Sequence, residues 1–150
     1  MGHSYTSCLM HVVFSTKARR REIDEELATR LWPYLGGLVR KNGVKALTVG
    51  GTEDHVHMLL SIPPTLSLAV TIQRIKGASS RWIHETFRDR QTFQWQEGYA
   101  AFSVGQSMIQ RTRHYIETQA EHHRTSTFEE EFVAFLERHN IEYDPTYVFG

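Results

Sequence analysis

The sequence predicts an α+β fold of the ferredoxin-like, split βαβ type, with a four-stranded antiparallel sheet, helices on one face and two further helices at the end. The prediction depends on the order of strand-like and helix-like segments, β-α-β-β-α-β, which is the order of that fold. The length agrees, because 150 residues are close to the common size of one domain and contain no repeat or linker-like stretch. We therefore expect residues 1–150 to form a single domain.

The first strand is predicted over residues 5–15. Apolar side chains occupy every second position from Cys8 to Phe14, which is typical of a half-buried strand. Cys8 is the only cysteine, so it cannot form an internal disulfide, and we expect it to be buried as a small apolar residue. The strand runs into a basic turn at residues 17–21.

The first helix is predicted to follow Asp24, a residue type that favours helix N-caps, and it carries leucines at helical spacing. Pro33 and the Gly36-Gly37 pair should kink or fray it, since proline removes a backbone hydrogen bond and glycine is a poor helix former.

The middle of the chain is predicted to form a hairpin and a second helix. Two strand-like runs, 44–50 and 55–62, are separated by the turn-rich residues 51–54. Ser67 is then a suitable N-cap for a helix that continues to at least Ile83.

The last third of the chain is predicted to add one strand and two helices. The strand covers residues 99–104, and the next helix runs from Ser107 to about His123. A capping box at Thr127–Glu130 starts the final helix. Residues 140–150 are unusually apolar for a free end, so we expect them to pack on the body or on a partner subunit.

Charge is unevenly distributed, although the formal net charge is zero. Residues 1–116 contain 15 Lys and Arg against 9 Asp and Glu, whereas residues 117–150 contain 2 against 8. The basic part suits attraction of phosphate groups while the acidic end covers another surface, but an acidic terminal helix is often only a solvated face. No stretch approaches the roughly 18 apolar residues that span a bilayer, and the start lacks the pattern of a signal peptide. We expect a cytoplasmic protein with no membrane partner.

The most specific chemical pattern is the strand that carries His55 and His57. Strand side chains alternate between faces, so both histidines project from one face and the apolar residues between and after them project from the other. An apolar face belongs against the helices, which puts the imidazoles on the open face, close enough to share a metal ion or a phosphate. Neutral imidazoles suit Mn, Zn, Co or Ni better than Mg. Two histidines on a solvated strand are the alternative.

A second cluster lies on the helix predicted after the fourth strand. Tyr115, Gln119 and His122 are four and seven residues apart and share a helix face, with Arg111 one turn earlier. Gln119 could complete a His-His-Gln metal site, and the Tyr115 hydroxyl could attack a phosphorus atom held there. The alternative is an ordinary amphipathic surface helix.

Together these residues resemble the single-tyrosine HUH transposases. His55-Val56-His57 resembles the HUH motif, in which U is a bulky apolar residue, and Tyr115-x-x-x-Gln119 resembles the nucleophile helix. Residues 15–17, 76–80 and 95–99 are also similar, so the resemblance covers nearly the whole chain. The family includes small insertion-sequence transposases and REP-associated tyrosine transposases, which act at repetitive extragenic palindromes.

The resemblance implies a metal-dependent endonuclease and strand transferase that acts on single-stranded DNA at hairpin-flanked sites. It implies that His55 and His57 bind a divalent ion, Mg or Mn, with Gln119 as the third ligand and Tyr115 as the nucleophile. The implied products are a 5′-phosphotyrosine and a free 3′-hydroxyl. One phosphoester replaces another, so no nucleotide cofactor is needed. A homodimer is also implied, in which the tyrosine helix of one subunit can complete the metal site of the other.

The implied partner is single-stranded DNA with hairpin or palindromic ends. Basic residues offer phosphate contacts that position the strand without reading its bases. The candidate DNA-binding residues are Lys17, Arg19, Arg20, Arg21, Arg74, Lys76, Arg81, Arg111 and His122. Each of these could instead be an ordinary solvated charge, and His122 could cap a helix C-terminus.

Three other functions fit parts of the sequence. A metal-dependent phosphoesterase would use the histidines but attack with water rather than Tyr115. A domesticated protein would bind single-stranded or hairpin DNA without cutting it. A small-ligand module is the third, because the ferredoxin-like fold hosts many functions, but it leaves the pairing of histidines and tyrosine unexplained.

Overall fold

A computed structural model describes residues 2–122 and 126–148, and within them it confirms the predicted α+β architecture. One antiparallel sheet has the strand order β2-β3-β1-β4. Its strands are β1 (Leu9–Ser15), β2 (Lys45–Gly51), β3 (His55–Ser61) and β4 (Ala100–Val104). In these ranges no helix combines the length and the apolar character needed to cross a membrane.

The α-helices of these ranges begin close to the predicted positions. They are α1 (Glu25–Lys41), α2 (Leu68–Thr86), α3 (Ile109–Glu117), α4 (Gln119–His122) and α5 (Phe128–Arg138). Asp24, Ser67 and Thr127 are confirmed as N-caps, because each side chain accepts a hydrogen bond from the backbone N–H three residues later.

Helix α1 is continuous, contrary to the fraying expected at Pro33 and the Gly36-Gly37 pair. Its leucine stripe explains this, since Leu31 and Leu35 are fully buried against the sheet. Burial of that stripe outweighs the poor helix propensity of three residues.

The first strand is shorter than predicted, and the expected burial of Cys8 is wrong. Strands β3 and β4 begin their pairing with β1 at Leu9, opposite Ser61 and Val104. Residues 2–7 therefore extend past the end of the sheet, and Cys8 is exposed. Alternation alone did not reveal where the partner strands stop.

The two faces of the sheet are both covered. One face, which includes the buried Phe14 and Met58, packs against α1 and α2 as predicted. The other face, predicted to be open, is covered by α3 and α5. Val13 and Phe102 form an apolar cluster there with Phe132 of α5. The residues on this second face are consequently inside the protein.

The long helix predicted from Ser107 to about His123 is interrupted. Thr118 has φ −110° and ψ 28°, which ends α3 and separates it from α4. The Thr118 hydroxyl donates to His114 O at 2.7 Å. Gln119 is thus the first residue of a new helical turn.

Residues 140–148 lie beside the α5 cluster. Tyr143 and Val148 are partly buried against it, which confirms packing on the body for these two residues. Tyr147 is exposed, and Phe149 lies outside the described residues.

Candidate active site

Three histidines meet on the sheet face that α3 and α5 cover. His55 and His57 project from the same face of β3, as predicted, and His11 joins them from the adjacent strand β1. All three are 0–2% exposed, so the expected position on an open surface is wrong. The burial follows from α5, whose Phe128 stacks on the His55 ring with centroids 4.3 Å apart.

His55 presents its Nε2 atom to the interior. Its Nδ1 lies 2.7 Å from Asp54 Oδ1 and 2.9 Å from Thr52 Oγ1, so the hydrogen of a neutral ring belongs on Nδ1. Its Nε2 then carries a lone pair and lies 3.1 Å from Gln119 Oε1. Gln119 Nε2 donates to Tyr115 O at 3.0 Å, which turns the amide oxygen toward His55. Two acceptor atoms facing each other at this distance suit a shared cation.

His57 is held from the opposite side. Its Nδ1 lies 2.7 Å from His11 Nε2, and its Nε2 lies 3.0 Å from Glu131 Oε1. Burial lowers the pKa of His11, and the neighbouring His57 lowers it further. His11 is therefore neutral at physiological pH and orients the His57 ring without adding charge.

Side chains that could bind a metal ion converge between the strands and the C-terminal helices. One nitrogen of each of His55 and His57 and a carboxylate oxygen of Glu131 lie within 4.8 Å of one another. Gln119 Oε1 borders the same point through its contact with His55. Two imidazole nitrogens with oxygen donors fit a divalent ion such as Mn. The predicted residues His55, His57 and Gln119 are thus brought together.

Sequence reasoning missed Glu131 and His11. Glu131 occupies a position of the α5 apolar stripe, three residues after Phe128 and one before Phe132, where an acid is unexpected. His11 lies between Leu9 and Val13 on one side of the first strand. A polar residue in an otherwise apolar stripe was the available indication in both cases.

Tyr115 of α3 is half-buried beside this cluster. Its ring centroid is 5.7 Å from that of His57 and 5.5 Å from that of Phe135. Burial raises the pKa of the Tyr115 hydroxyl, and a hydrogen bond to Glu131 with its negative charge raises it further, whereas a hydrogen bond with Gln119 lowers it. A free phenol has a pKa of about 10, so Tyr115 is protonated at neutral pH.

A cleft of about 320 Å³ opens beside Tyr115. Tyr115, Glu131 and His11 lie along it, and Arg111 and Arg138 add two guanidinium groups. Arginine is suited to bind phosphate oxygens in a bidentate manner. The cleft can therefore hold a phosphodiester next to a hydroxyl group.

The predicted DNA-binding residues of the first basic turn lie on the surface near α5. Lys17, Arg20 and Arg21 are exposed. Arg19 lies 2.5 Å from Glu129 of α5, so the acidic helix approaches the basic turn directly.

The remaining candidates are dispersed. Arg74 and Arg81 are exposed on α2, across the sheet from the histidines. Lys76 Nζ donates to Gln96 O and Gly98 O, both at 2.6 Å, and burial lowers its pKa. Their DNA contacts stay predictions. The side chain of His122 lies outside the described part of the chain.

Comparison with known sequences finds transposases. The model of the IS200-like transposase family matches residues 4–119. The transposase of insertion sequence IS200 from Salmonella typhimurium LT2 is 32% identical over 126 residues, which cover 81% of this chain and 82% of the relative. The ISDra2 transposase TnpA of Deinococcus radiodurans is 26% identical over 114 residues, or 73% and 81% of the two chains.

Comparison with solved structures gives the same fold. A crystal structure from Deinococcus radiodurans R1, described as a transposase, has a TM-score of 0.65 and 26% identity and covers 79% of this chain and 96% of its own. A REP-associated tyrosine transposase bound to a REP hairpin has a TM-score of 0.61 and 11% identity. The match covers 82% of this chain and 73% of that one. Helix α5 begins after residue 119, where the family match ends.

Proposed function

The chain belongs to the IS200-like transposase family, and from this premise we propose that it cuts and rejoins single-stranded DNA with Tyr115 as the nucleophile. The observation that carries the proposal is the convergence of Tyr115 with a His-His-Gln set: the Tyr115 hydroxyl bonds to Gln119, whose amide oxygen lies 3.1 Å from His55, and the Tyr115 ring lies beside His57. Neither a small-ligand module nor a simple binding protein requires that convergence.

The proposed ligands of the divalent ion, Mg or Mn, are His55, His57 and Gln119. This ligand set is supported by two acceptor atoms, His55 Nε2 and Gln119 Oε1, which face each other 3.1 Å apart. Bound there, the ion supplies Lewis-acid stabilisation of the charge on the non-bridging oxygens of the scissile phosphate. Asp54 and His11 fix the two imidazole rings through their other nitrogens, which keeps the ligands in place without the substrate.

The proposed reaction exchanges one phosphoester for another. The Tyr115 Oη attacks phosphorus, the new bond joins Oη to the 5′-phosphate, and the bond from phosphorus to the 3′-oxygen breaks. The phenol loses its proton and the leaving oxygen gains one, so the products are a 5′-phosphotyrosine and a free 3′-hydroxyl. The numbers of phosphoester bonds are equal before and after, so rejoining to a second 3′-hydroxyl needs no nucleotide cofactor.

The proposed DNA partner is a hairpin with a single-stranded flank. The structure of the REP-associated tyrosine transposase bound to a REP hairpin supports a partner of this class. Arg111 and Arg138 at the cleft can neutralise phosphates beside the scissile bond. The exposed turn residues Lys17, Arg20 and Arg21 would extend this contact.

Replacing Arg111 with Ala should weaken hairpin binding by about 3- to 10-fold and lower the salt dependence of binding by about one phosphate contact. Arg111 is exposed and lies at the cleft, so the fold should be unaffected. Fluorescence anisotropy with a labelled hairpin at several salt concentrations measures both quantities. Arg88→Ala removes an exposed charge after α2 as the matched control, and equal effects of the two variants would refute a contact specific to Arg111.

A homodimer is part of the proposal, and light scattering of the purified chain tests it. Mixing His57→Ala and Tyr115→Phe chains tests whether subunits share active sites. Recovery of cleavage in the mixture would mean that one subunit's tyrosine acts at the other's metal site. Without recovery, each site uses its own tyrosine.

The proposed function is tested by incubating the chain with labelled single-stranded hairpin DNA from its genomic flanks and Mg or Mn. A covalent adduct on a denaturing gel that disappears with chelator is the expected result. Cleavage without an adduct would favour a phosphoesterase that uses water. Tight binding without cleavage would favour a domesticated DNA-binding protein.

Gly50 positions the proposed nucleophile helix. A Cβ at Gly50 of β2 would lie 2.9 Å from Ile116 O and 3.2 Å from Ile116 Cγ2, so Gly50→Ala must push α3 away from the sheet. A shift of about 1 Å at a reacting group can cost on the order of 100-fold in rate, and we expect adduct formation to fall by about 10- to 100-fold. Single-turnover adduct kinetics measure this.

The matched control is Gly37→Ala in α1, where an added Cβ meets nothing within 4 Å. This variant should react at the parent rate. Unchanged adduct formation by Gly50→Ala would contradict the positioning of Tyr115 by this contact.

A further inference from the structure

Helix α5 delivers a buried carboxylate to the histidine cluster. Glu131 is 8% exposed, and its Oε1 lies 3.0 Å from His57 Nε2 and 3.9 Å from His55 Nε2. Each Nε2 lies on the side of its ring opposite the Nδ1 atom that contacts Asp54 or His11. The carboxylate therefore occupies the inner side of the ligand cluster, not its rim.

The carboxylate is suited to bind a cation here. Its Oε1 faces the Nε2 atoms of both imidazoles, and one nitrogen of each ring lies with a Glu131 oxygen within 4.8 Å. Buried carboxylates in proteins are paired with other groups or coordinate metal ions. A divalent ion among these three donors would contact all of them at once.

The position of the carboxylate is fixed by the packing of α5. Phe128 stacks on His55, and Phe135 lies with its ring centroid 5.1 Å from that of His11. Glu129, the residue after Phe128, pairs with Arg19 of the basic turn. Contacts before and after Glu131 thus hold the helix against the histidines, so little rearrangement is needed for its oxygen to bind an ion.

We propose that Glu131 is a fourth protein ligand of the divalent ion, so that the centre consists of two imidazole nitrogens, the Gln119 amide oxygen and a carboxylate oxygen. The inference rests on the metal centre proposed above and extends it with a residue from beyond position 119, where the family match ends. A charged oxygen ligand makes the site harder and more anionic, which favours Mn and Mg over softer ions.

The test measures metal affinity and not activity. Chelator-treated full-length chain is titrated with Mn by calorimetry, and with Co by visible absorption, whose bands report the number and type of ligands. Glu131→Gln and Glu131→Ala should each weaken Mn binding by on the order of 10- to 100-fold and change the Co spectrum. Thermal melts without metal check that the variants fold.

Glu130→Gln is the matched control, because it removes the same charge from the exposed neighbouring position of α5. Its affinity and Co spectrum should equal those of the parent. His55→Ala separates the two proposals, since it should lose binding whether or not Glu131 is a ligand. If His55→Ala loses Mn but the Glu131 variants behave like Glu130→Gln, the Glu131 ligand is refuted and the metal centre stands. If the parent chain binds no Mn, both are refuted.

Discussion

Replacing Tyr115 with Phe should abolish the covalent protein–DNA adduct and lower hairpin cleavage by at least about 1,000-fold. The substitution removes one oxygen and keeps the ring, so the packing on His57 and Phe135 and the DNA cleft should persist. In the proposed reaction the hydroxyl oxygen joins phosphorus, so its loss should remove the reaction and leave binding intact. Single-turnover cleavage on a denaturing gel, with anisotropy for binding, measures both.

Tyr34→Phe is the control for this substitution. Tyr34 stacks on Trp82, 4.1 Å between centroids, on the opposite side of the sheet, so its hydroxyl should be dispensable. Persistent metal-dependent cleavage by the Tyr115→Phe chain would mean that water attacks, and the strand-transferase proposal would be wrong.

Replacing His57 with Ala should lower metal-dependent cleavage by about 1,000-fold, comparable with chelation of the parent chain. His57 offers its Nε2 at the centre of the ligand cluster, and its loss leaves too few donors to hold the ion. Loss of Lewis-acid stabilisation is worth several kcal/mol, and each 1.36 kcal/mol is about tenfold in rate. Cleavage rates across a Mn titration measure the effect.

His84→Gln serves as the histidine control. His84 lies on α2, away from the cleft, and its Nε2 bonds to Phe93 O at 2.8 Å. Its cleavage rate should match that of the parent chain. A His57→Ala chain that folds, binds hairpin DNA and cuts at the parent rate would exclude His57 as a metal ligand.

Features that depend on local sequence were predictable. The element order, the three N-caps and the shared face of His55 and His57 follow from spacing and side-chain type within a few residues. The order alone then limits how a βαββαβ chain forms one sheet, and the observed strand order agrees with it.

Features that depend on distant contacts were not predictable. The second sheet face is covered because α5 returns across it, and nothing near His55 in the sequence indicates this. Glu131 is 74 residues from His57 in the chain, so its arrival at the cluster depends on where α5 packs. Neither proline nor glycine lies near Thr118 in the sequence to indicate the break between α3 and α4.

The uneven charge along the sequence has a structural counterpart. The acidic residues of α5 face the basic turn through the pair of Glu129 with Arg19, and Glu131 enters the histidine cluster. Of the two interpretations of the acidic end, a solvated face and a cover for another surface, the second describes these two glutamates. Glu130 on the same helix is solvated.

The measurement that most directly tests the central claim is peptide mapping of the protein–DNA adduct. The chain is reacted with a hairpin substrate and Mn, the DNA is trimmed with nuclease, and the tryptic peptides are analysed by mass spectrometry. A nucleotide attached through its 5′-phosphate to Tyr115 is the expected result. A nucleotide on any other residue, or cleaved DNA with no modified peptide, would contradict the assignment of Tyr115 as the nucleophile.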